Sequence, residues 1–258
     1  MFPSRRTTTF GGPKFKDDWS FELNSDDSND SMTVDDTYQD ILRDSFSIVL
    51  WLKPVEGQPG SVEVFCGVKK DANHWFYVGL TAVGNLRYYH KSDGAGSNKE
   101  SGEVFAAGAS NWVQLVFSIE KNAAAGCKYY KDGVFLESDN TNGINDTEWA
   151  AFDCNSLDFI IGGYNPGSGT AINTFDGKYS EFAIYNKALS ANEVKTIYNG
   201  REPFNHKDWS GAPNCKGWFR FGDGNESGSG TTIYDMSGEG NNGTLINSEA
   251  GDLQGDTP

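Results

Sequence analysis

The most constraining stretch of this chain is FDGKYSEFAIYNKALSANEVKTIYNG, residues 175–200. From Tyr179 to Tyr185 one side of the chain reads Tyr179, Glu181, Ala183 and Tyr185, and the other reads Ser180, Phe182 and Ile184. Alternation with aromatic and β-branched residues predicts a sheet strand. Ser190 and Glu193 then stand three apart, the spacing of a capping box in which each side chain accepts from the other's backbone N–H. Val194, Ile197 and Tyr198 follow at helical spacing, so a two-turn helix with one apolar face is expected. Gly200 stands where a helix end needs positive φ. Nothing in the stretch carries catalytic chemistry.

Strand signals recur at short spacing through the rest of the chain, at 19–23, 32–34, 46–53, 62–69, 75–81, 86–90, 112–120, 128–130, 134–137 and 157–162. FSIVLWLKP (46–54) is almost continuously apolar, which predicts a strand buried on both faces. Lys131-Asp132-Gly133-Val134 carries the Asp-Gly signal of a two-residue hairpin. Ten or so strands separated by turns predict an all-β, two-sheet antiparallel sandwich with one short helix.

The chain divides into a polar, basic, extended N-terminal arm (1–18), the sandwich (19–200), a linker (201–215) and C-terminal strands and tail (216–258). Within that tail 216–221, 231–234 and 244–246 still read as strands. The formal charge of -15 disfavours nucleic-acid phosphates. No apolar run approaches the ~20 residues of a membrane helix. Positive charge at the start is followed by no apolar stretch, so no secretory signal is expected there. Cys66, Cys127, Cys154 and Cys215 lie far apart without a zinc spacing and are expected as reduced thiols.

Four segments in order, FSIVLWLKP (46–54), NWVQLVFSIEK (111–121), KYYKDGVF (128–135) and 175–200, resemble the laminin-G-like or concanavalin-A-like jelly-roll modules. The resemblance covers about 155 residues and implies a sandwich of two antiparallel sheets that binds carbohydrate or protein, some members holding calcium at the rim. Ser180 stands where the family has an acidic residue, Glu181 is kept, and residues 21–34 loosen the family's acidic segment. Both departures weigh against a family-type calcium site. GWFRFGDG and GTTIYDMSGEGNNGTL in the tail resemble the strands that open such modules, so the order is rotated. Either the tail closes the same sandwich or it begins a truncated repeat that pairs with a neighbouring subunit; the first is favoured because 43 residues are too few for a separate core.

No carboxylates are paired as in glycosidases of this sandwich, no His-x-x-x-His or G-x-S-x-G is present, and no phosphate loop occurs, so the chain is read as not an enzyme. Carbohydrate binding would use aromatics beside amides and acids. Trp149 and Tyr164 lie in loop-like sequence, where function concentrates; Trp75 and Tyr89 complete the candidate set, with Tyr77, Tyr88 and Trp209 behind them. Trp51, Trp112 and Trp218 read as core. No resident cofactor is expected. Calcium is the one cation considered, with Asp26, Asp27, Asp30, Asp176 and Glu181 as candidate ligands and Asp223 and Asp235 in the tail.

The leading reading from sequence is a non-catalytic structural or adhesive protein of a bacteriophage virion, made in the host cytoplasm and exposed as a decoration or fibre-like domain. Arg5, Arg6, Phe10, Lys14 and Lys16 of the arm would dock on capsid or tail components. The protein would act as a homo-oligomer or part of a larger assembly, with host glycans as further ligands. The alternative is a free carbohydrate-binding lectin or cell-surface adhesin module, exported without an N-terminal signal.

Overall fold

The computed structural model describes residues 19–23, 30–34, 38–93, 95–139, 152–154, 157–164, 171–221, 231–247 and 252–258. Two antiparallel sheets of eight strands each face one another. Sheet A contains β1 (Ser20–Leu23), β3 (Phe46–Pro54), β8 (Val113–Ile119), β9 (Cys127–Lys131), β10 (Val134–Asp139), β12 (Gly177–Tyr185), β13 (Cys215–Phe219) and β16 (Leu253–Gln254). Sheet B contains β2 (Ser31–Val34), β4 (Glu63–Lys69), β5 (Trp75–Leu80), β6 (Asn85–Ser92), β7 (Ala95–Glu103), β11 (Phe159–Ile161), β14 (Thr232–Ile233) and β15 (Gly243–Ile246). Across sheet A the order is β10-β9-β8-β3-β12-β1-β16, with β13 also on β12; across sheet B it is β14-β15-β2-β11-β4-β5-β6-β7. The C-terminal strands are shared between the layers, β13 against β12 and β15 against β2. This is the all-β, two-sheet arrangement that the strand pattern predicts.

The inner faces interdigitate through residues such as Phe46, Ile48, Leu50, Phe65, Phe76, Tyr88, Phe117 and Phe182, all fully buried. β3 is apolar on both faces because a second layer covers it from outside. Helix α2 (Ala191–Tyr198) lays Val194 and Ile197 on Val49, Val116, Ala183 and Tyr185 of sheet A. Each such side chain contributes about 1.5–3 kcal/mol on burial. The capping box forms, with Ser190 N–H donating to Glu193 Oε2 at 2.9 Å and Glu193 N–H to Ser190 Oγ at 3.4 Å. Helix α2 ends one residue earlier than expected: Asn199 takes the left-handed cap and Gly200 follows it in the same region.

Three local readings are corrected. Tyr179 points into the core with Phe182 and Ile184, because a bulge between Tyr179 and Glu181 resets the alternation. The segment 201–215 is not a free linker: His206 is buried, with Phe204 and Trp209 packed beside it against the outside of sheet A. β7, β16 and the one-turn helix α1 (Gln39–Leu42) carry no apolar period and are set by pairing and packing. The Asp132–Gly133 turn is a two-residue hairpin with φ of 50° and 74°, as Asp-Gly predicts. All four cysteines are buried free thiols.

Candidate functional site

With α2 over part of sheet A, the outside of sheet B presents side chains that no helix covers. β5 alternates strictly: Phe76, Val78 and Leu80 enter the core, while Trp75 and Tyr77 point out. β6 does the same, with Leu86 and Tyr88 inward and Tyr89 outward. The register sets Tyr77 opposite Tyr89 on one side and opposite Gly67 on the other. Gly67 leaves the room through which Tyr164 joins them. A Cβ at residue 67 would stand 2.8 Å from the Tyr77 Cβ and 3.2 Å from the Tyr164 Cβ.

The result is an aromatic quartet. Tyr77 and Tyr89 lie parallel with centroids 5.4 Å apart, Tyr77 and Tyr164 at 5.9 Å, and Trp75 sits 4.7 Å from Tyr89. Such pairs contribute about 0.5–1.5 kcal/mol beyond area burial. Lys69 Nζ lies 4.6 Å from the Trp75 ring centre and 5.4 Å from that of Tyr164. Arg87 donates to the Tyr77 hydroxyl at 3.3 Å and pairs with Glu100 across to β7. Trp75 and Tyr89 are half-buried, and the Trp75 indole N–H has no hydrogen-bond partner among the described residues.

Beyond Tyr164 the face runs into a groove of about 560 Å³ lined by Glu56, Ser61, Glu63, Asn173 and Asp176. Asn173 joins the two parts: the Tyr164 hydroxyl donates to its Oδ1 at 3.3 Å, and its Nδ2 donates to the Val62 carbonyl at 3.1 Å. It holds a left-handed backbone, φ 52°, to do so. Burial pushes the Glu63 carboxyl up to about 7, opposed by the Asp176 N–H and reinforced by the charges of Asp176 and Glu56. Glu56 moves the other way, because the backbone N–H groups of Gln58 and Gly108 stabilise its charged form.

The structure therefore brings together Trp75, Tyr89 and Tyr164 from the candidate set and adds Tyr77 to them. Trp149 lies outside the described residues, as do Asp26, Asp27, Asp223 and the arm residues Arg5, Arg6, Phe10, Lys14 and Lys16. Tyr88 is core, and Trp209 packs on Tyr185. The described members of the calcium set do not converge. Asp176 precedes β12 and borders the groove, whereas Glu181 lies five residues on, roughly 16 Å along an extended chain. Glu181 is 3% exposed and faces His206 Nε2 at 3.6 Å outside sheet A. Asp30 is buried just before β2 in sheet B. Asp235 is taken up by a turn, accepting from the N–H groups of Trp218, Ser237 and Asn241. Among the described residues no group of three or more His, Cys, Asp or Glu side chains is placed to hold a metal. Glu63, Lys69, Arg87 and Asn173 were not picked out from sequence. The W-x-Y of β5 and R-x-Y of β6 are the period-two signals that point to this face.

The family model described as the concanavalin A-like lectin/glucanases superfamily matches residues 26–195. A structure from Bacteroides ovatus ATCC 8483, described as a candidate carbohydrate binding protein, aligns at TM-score 0.63 and 16% identity over 94% of this chain. The chain spans 60% of the length of that protein. The CBM40 of a Ruminococcus gnavus IT-sialidase aligns at TM-score 0.52 and 12% identity, over 69% of this chain and 96% of that one. The NanB sialidase of Streptococcus pneumoniae aligns at TM-score 0.52 and 19% identity, over 69% of this chain and 27% of that one. At these identities the likeness is one of fold. No protein of curated function matches the chain. On a family model that covers about two thirds of its length and strands of both sheets, the chain belongs to the concanavalin A-like lectin/glucanase superfamily.

Proposed function

We propose that the protein is a non-catalytic, lectin-like carbohydrate-binding module that receives sugar rings on the outer face of sheet B. The observation that carries this reading is the quartet of Trp75, Tyr77, Tyr89 and Tyr164 on one face, bordered by a polar groove. Flat apolar rings suit the C–H face of a sugar, and a few placed polar groups orient its hydroxyls. Glu63, which changes charge near neutral pH, can accept from or donate to a hydroxyl.

Binding rather than cleavage fits the charges on this face. Glu100 beside the quartet is held by Arg87, and in the bordering groove Glu56 accepts from the N–H groups of Gln58 and Gly108 and Glu63 from that of Asp176, whereas hydrolysis needs two carboxyl groups set across the scissile bond. The named relatives, a candidate carbohydrate binding protein and a sialidase's CBM40, support the lectin reading over the virion reading. The docking arm of the virion reading, residues 1–18, lies outside the described part of the chain. A lectin of this kind acts where glycans are displayed, at a cell surface or outside the cell.

The test is a glycan array with the purified chain, followed by calorimetry on the best glycan. Trp75→Ala and Tyr89→Ala should each weaken binding by about tenfold with the fold intact by circular dichroism. No glycan bound, or wild-type affinity in both variants, would refute the proposal. Release of reducing sugar from the bound glycan would refute its non-catalytic part.

A further inference from the structure

A second groove lies on sheet A, where the end of β3, the start of β8 and the β9–β10 turn meet. It encloses about 460 Å³, and Lys53, Lys131 and Arg201 all line it in a chain of formal charge -15. The carboxylate in its wall, Asp132, accepts from the Gln114 N–H at 3.0 Å. Lys131 donates to the Val104 carbonyl at 3.0 Å and lies over Phe105. Arg201 donates to the Trp112 carbonyl at 3.2 Å and lies over Trp51. Each of these two cations is thus placed by a neutral acceptor and a ring.

The backbone is bent to put Arg201 there. Asn199, Gly200 and Arg201 run at φ 51°, 66° and 74°. Arginine rarely adopts that region, and retained strain of this kind clusters at binding sites. The edge of the groove already holds a carboxylate. Asp256 accepts from Lys53 Nζ at 2.9 Å, from Lys178 Nζ at 3.2 Å and from the Trp112 indole N–H at 3.1 Å. These contacts hold its carboxyl down at about 2. The chain's own C-terminal segment thus shows which chemistry the donors select, and Lys131 and Arg201 repeat that chemistry in the open part.

We propose that this groove is an anion subsite for the carboxylate of an acidic saccharide, received by Arg201 and Lys131. Ser110 and Asn111, also in the lining, are placed for ring hydroxyls. Its volume falls within the roughly 300–1,000 Å³ of small-ligand sites, which favours one or two sugar-acid rings over a long acidic peptide. It lies on the opposite sheet from the aromatic face, so it stands whether or not that face binds sugar.

The test uses the Trp112 indole N–H as an NMR reporter in the full, isotope-labelled chain. Glucuronic acid and N-acetylneuraminic acid should move its resonance, methyl glucoside should not, and added salt should weaken the effect. Lys131→Gln and Arg201→Gln should each lower the affinity read at Trp112 by about tenfold. Melting midpoints identify a variant that fails to fold, in which case the other variant decides. No response to the acids, an equal response to methyl glucoside, or unaltered affinity in a folded variant would overturn the proposal. Tighter binding of a tri-glutamate peptide than of either sugar acid would overturn the assignment to a saccharide.

Discussion

Glu63→Gln tests the electrostatics of the sheet B groove. Burial, with the charges of Asp176 and Glu56, raises the Glu63 carboxyl from its ordinary 4.5 to about 7. The folded state therefore holds this proton more tightly than the unfolded chain. The stability that results is fully present below about pH 4.5 and is lost as pH rises through about 7. A separation of about 2.5 pH units corresponds to about 3.4 kcal/mol at ~1.36 kcal/mol per unit; the open groove screens the carboxylate, and about 2 kcal/mol is the working figure. Glutamine keeps an oxygen for the Asp176 N–H and removes the titration. Urea unfolding at pH 5 and pH 8 should show wild type losing about 2 kcal/mol more than Glu63→Gln between the two. In melting midpoint that is about 4–8 °C at this size. Parallel pH dependence in the two proteins would refute the reasoning, because the Glu63 proton would then be held equally well in the unfolded chain.

Three further outcomes follow from the packing. Gly67→Ala places a Cβ 2.5 Å from the Phe76 carbonyl oxygen as well as against Tyr77, so it should cost about 1–3 kcal/mol in urea unfolding and also weaken glycan binding. Ser190→Ala removes half of the capping box and should cost about 1 kcal/mol, read by the same unfolding and with glycan affinity unchanged. Arg201→Gly relieves a left-handed arginine worth about 1–2 kcal/mol and gives up one hydrogen bond of about 1 kcal/mol. Stability should stay within about 1 kcal/mol of wild type while sugar-acid affinity falls by about tenfold; a fall in stability beyond about 2 kcal/mol would make Arg201 a structural residue.

Fold class is legible in this sequence because its signals are local and agree with one another. The apolar run of β3, the Asp-Gly turn and the Ser190–Glu193 box each read correctly without knowledge of the rest. What escapes is set by partners distant in sequence. The bulge that turns Tyr179 inward belongs to the pairing of β12 with β3 and leaves no mark in the alternation. β7 is a polar AGSNKESGE strand held by its ladder to β6, and propensity alone does not find it.

The aromatic face is legible in part, since Trp75, Tyr89 and Tyr164 stand in the candidate set, but WFYVGL of β5 is apolar on both sides, as FSIVLWLKP of β3 is, and the pattern alone does not say which side stays open. The difference lies in what covers them. Helix α2 and the 201–215 segment lie over β3, whereas the outward side of β5 is covered by rings from β5, β6 and the turn after β11. Aromatic side chains that bury one another but leave Trp75 and Tyr89 half open keep apolar surface in contact with water, which hydrophobic burial alone would not select. A stabilising core would have closed over that face, as α2 closes over sheet A. That it stays open at Trp75 and Tyr89, beside a groove in which the Glu63 carboxyl is raised to about 7, is the physical ground for proposing the ligand there.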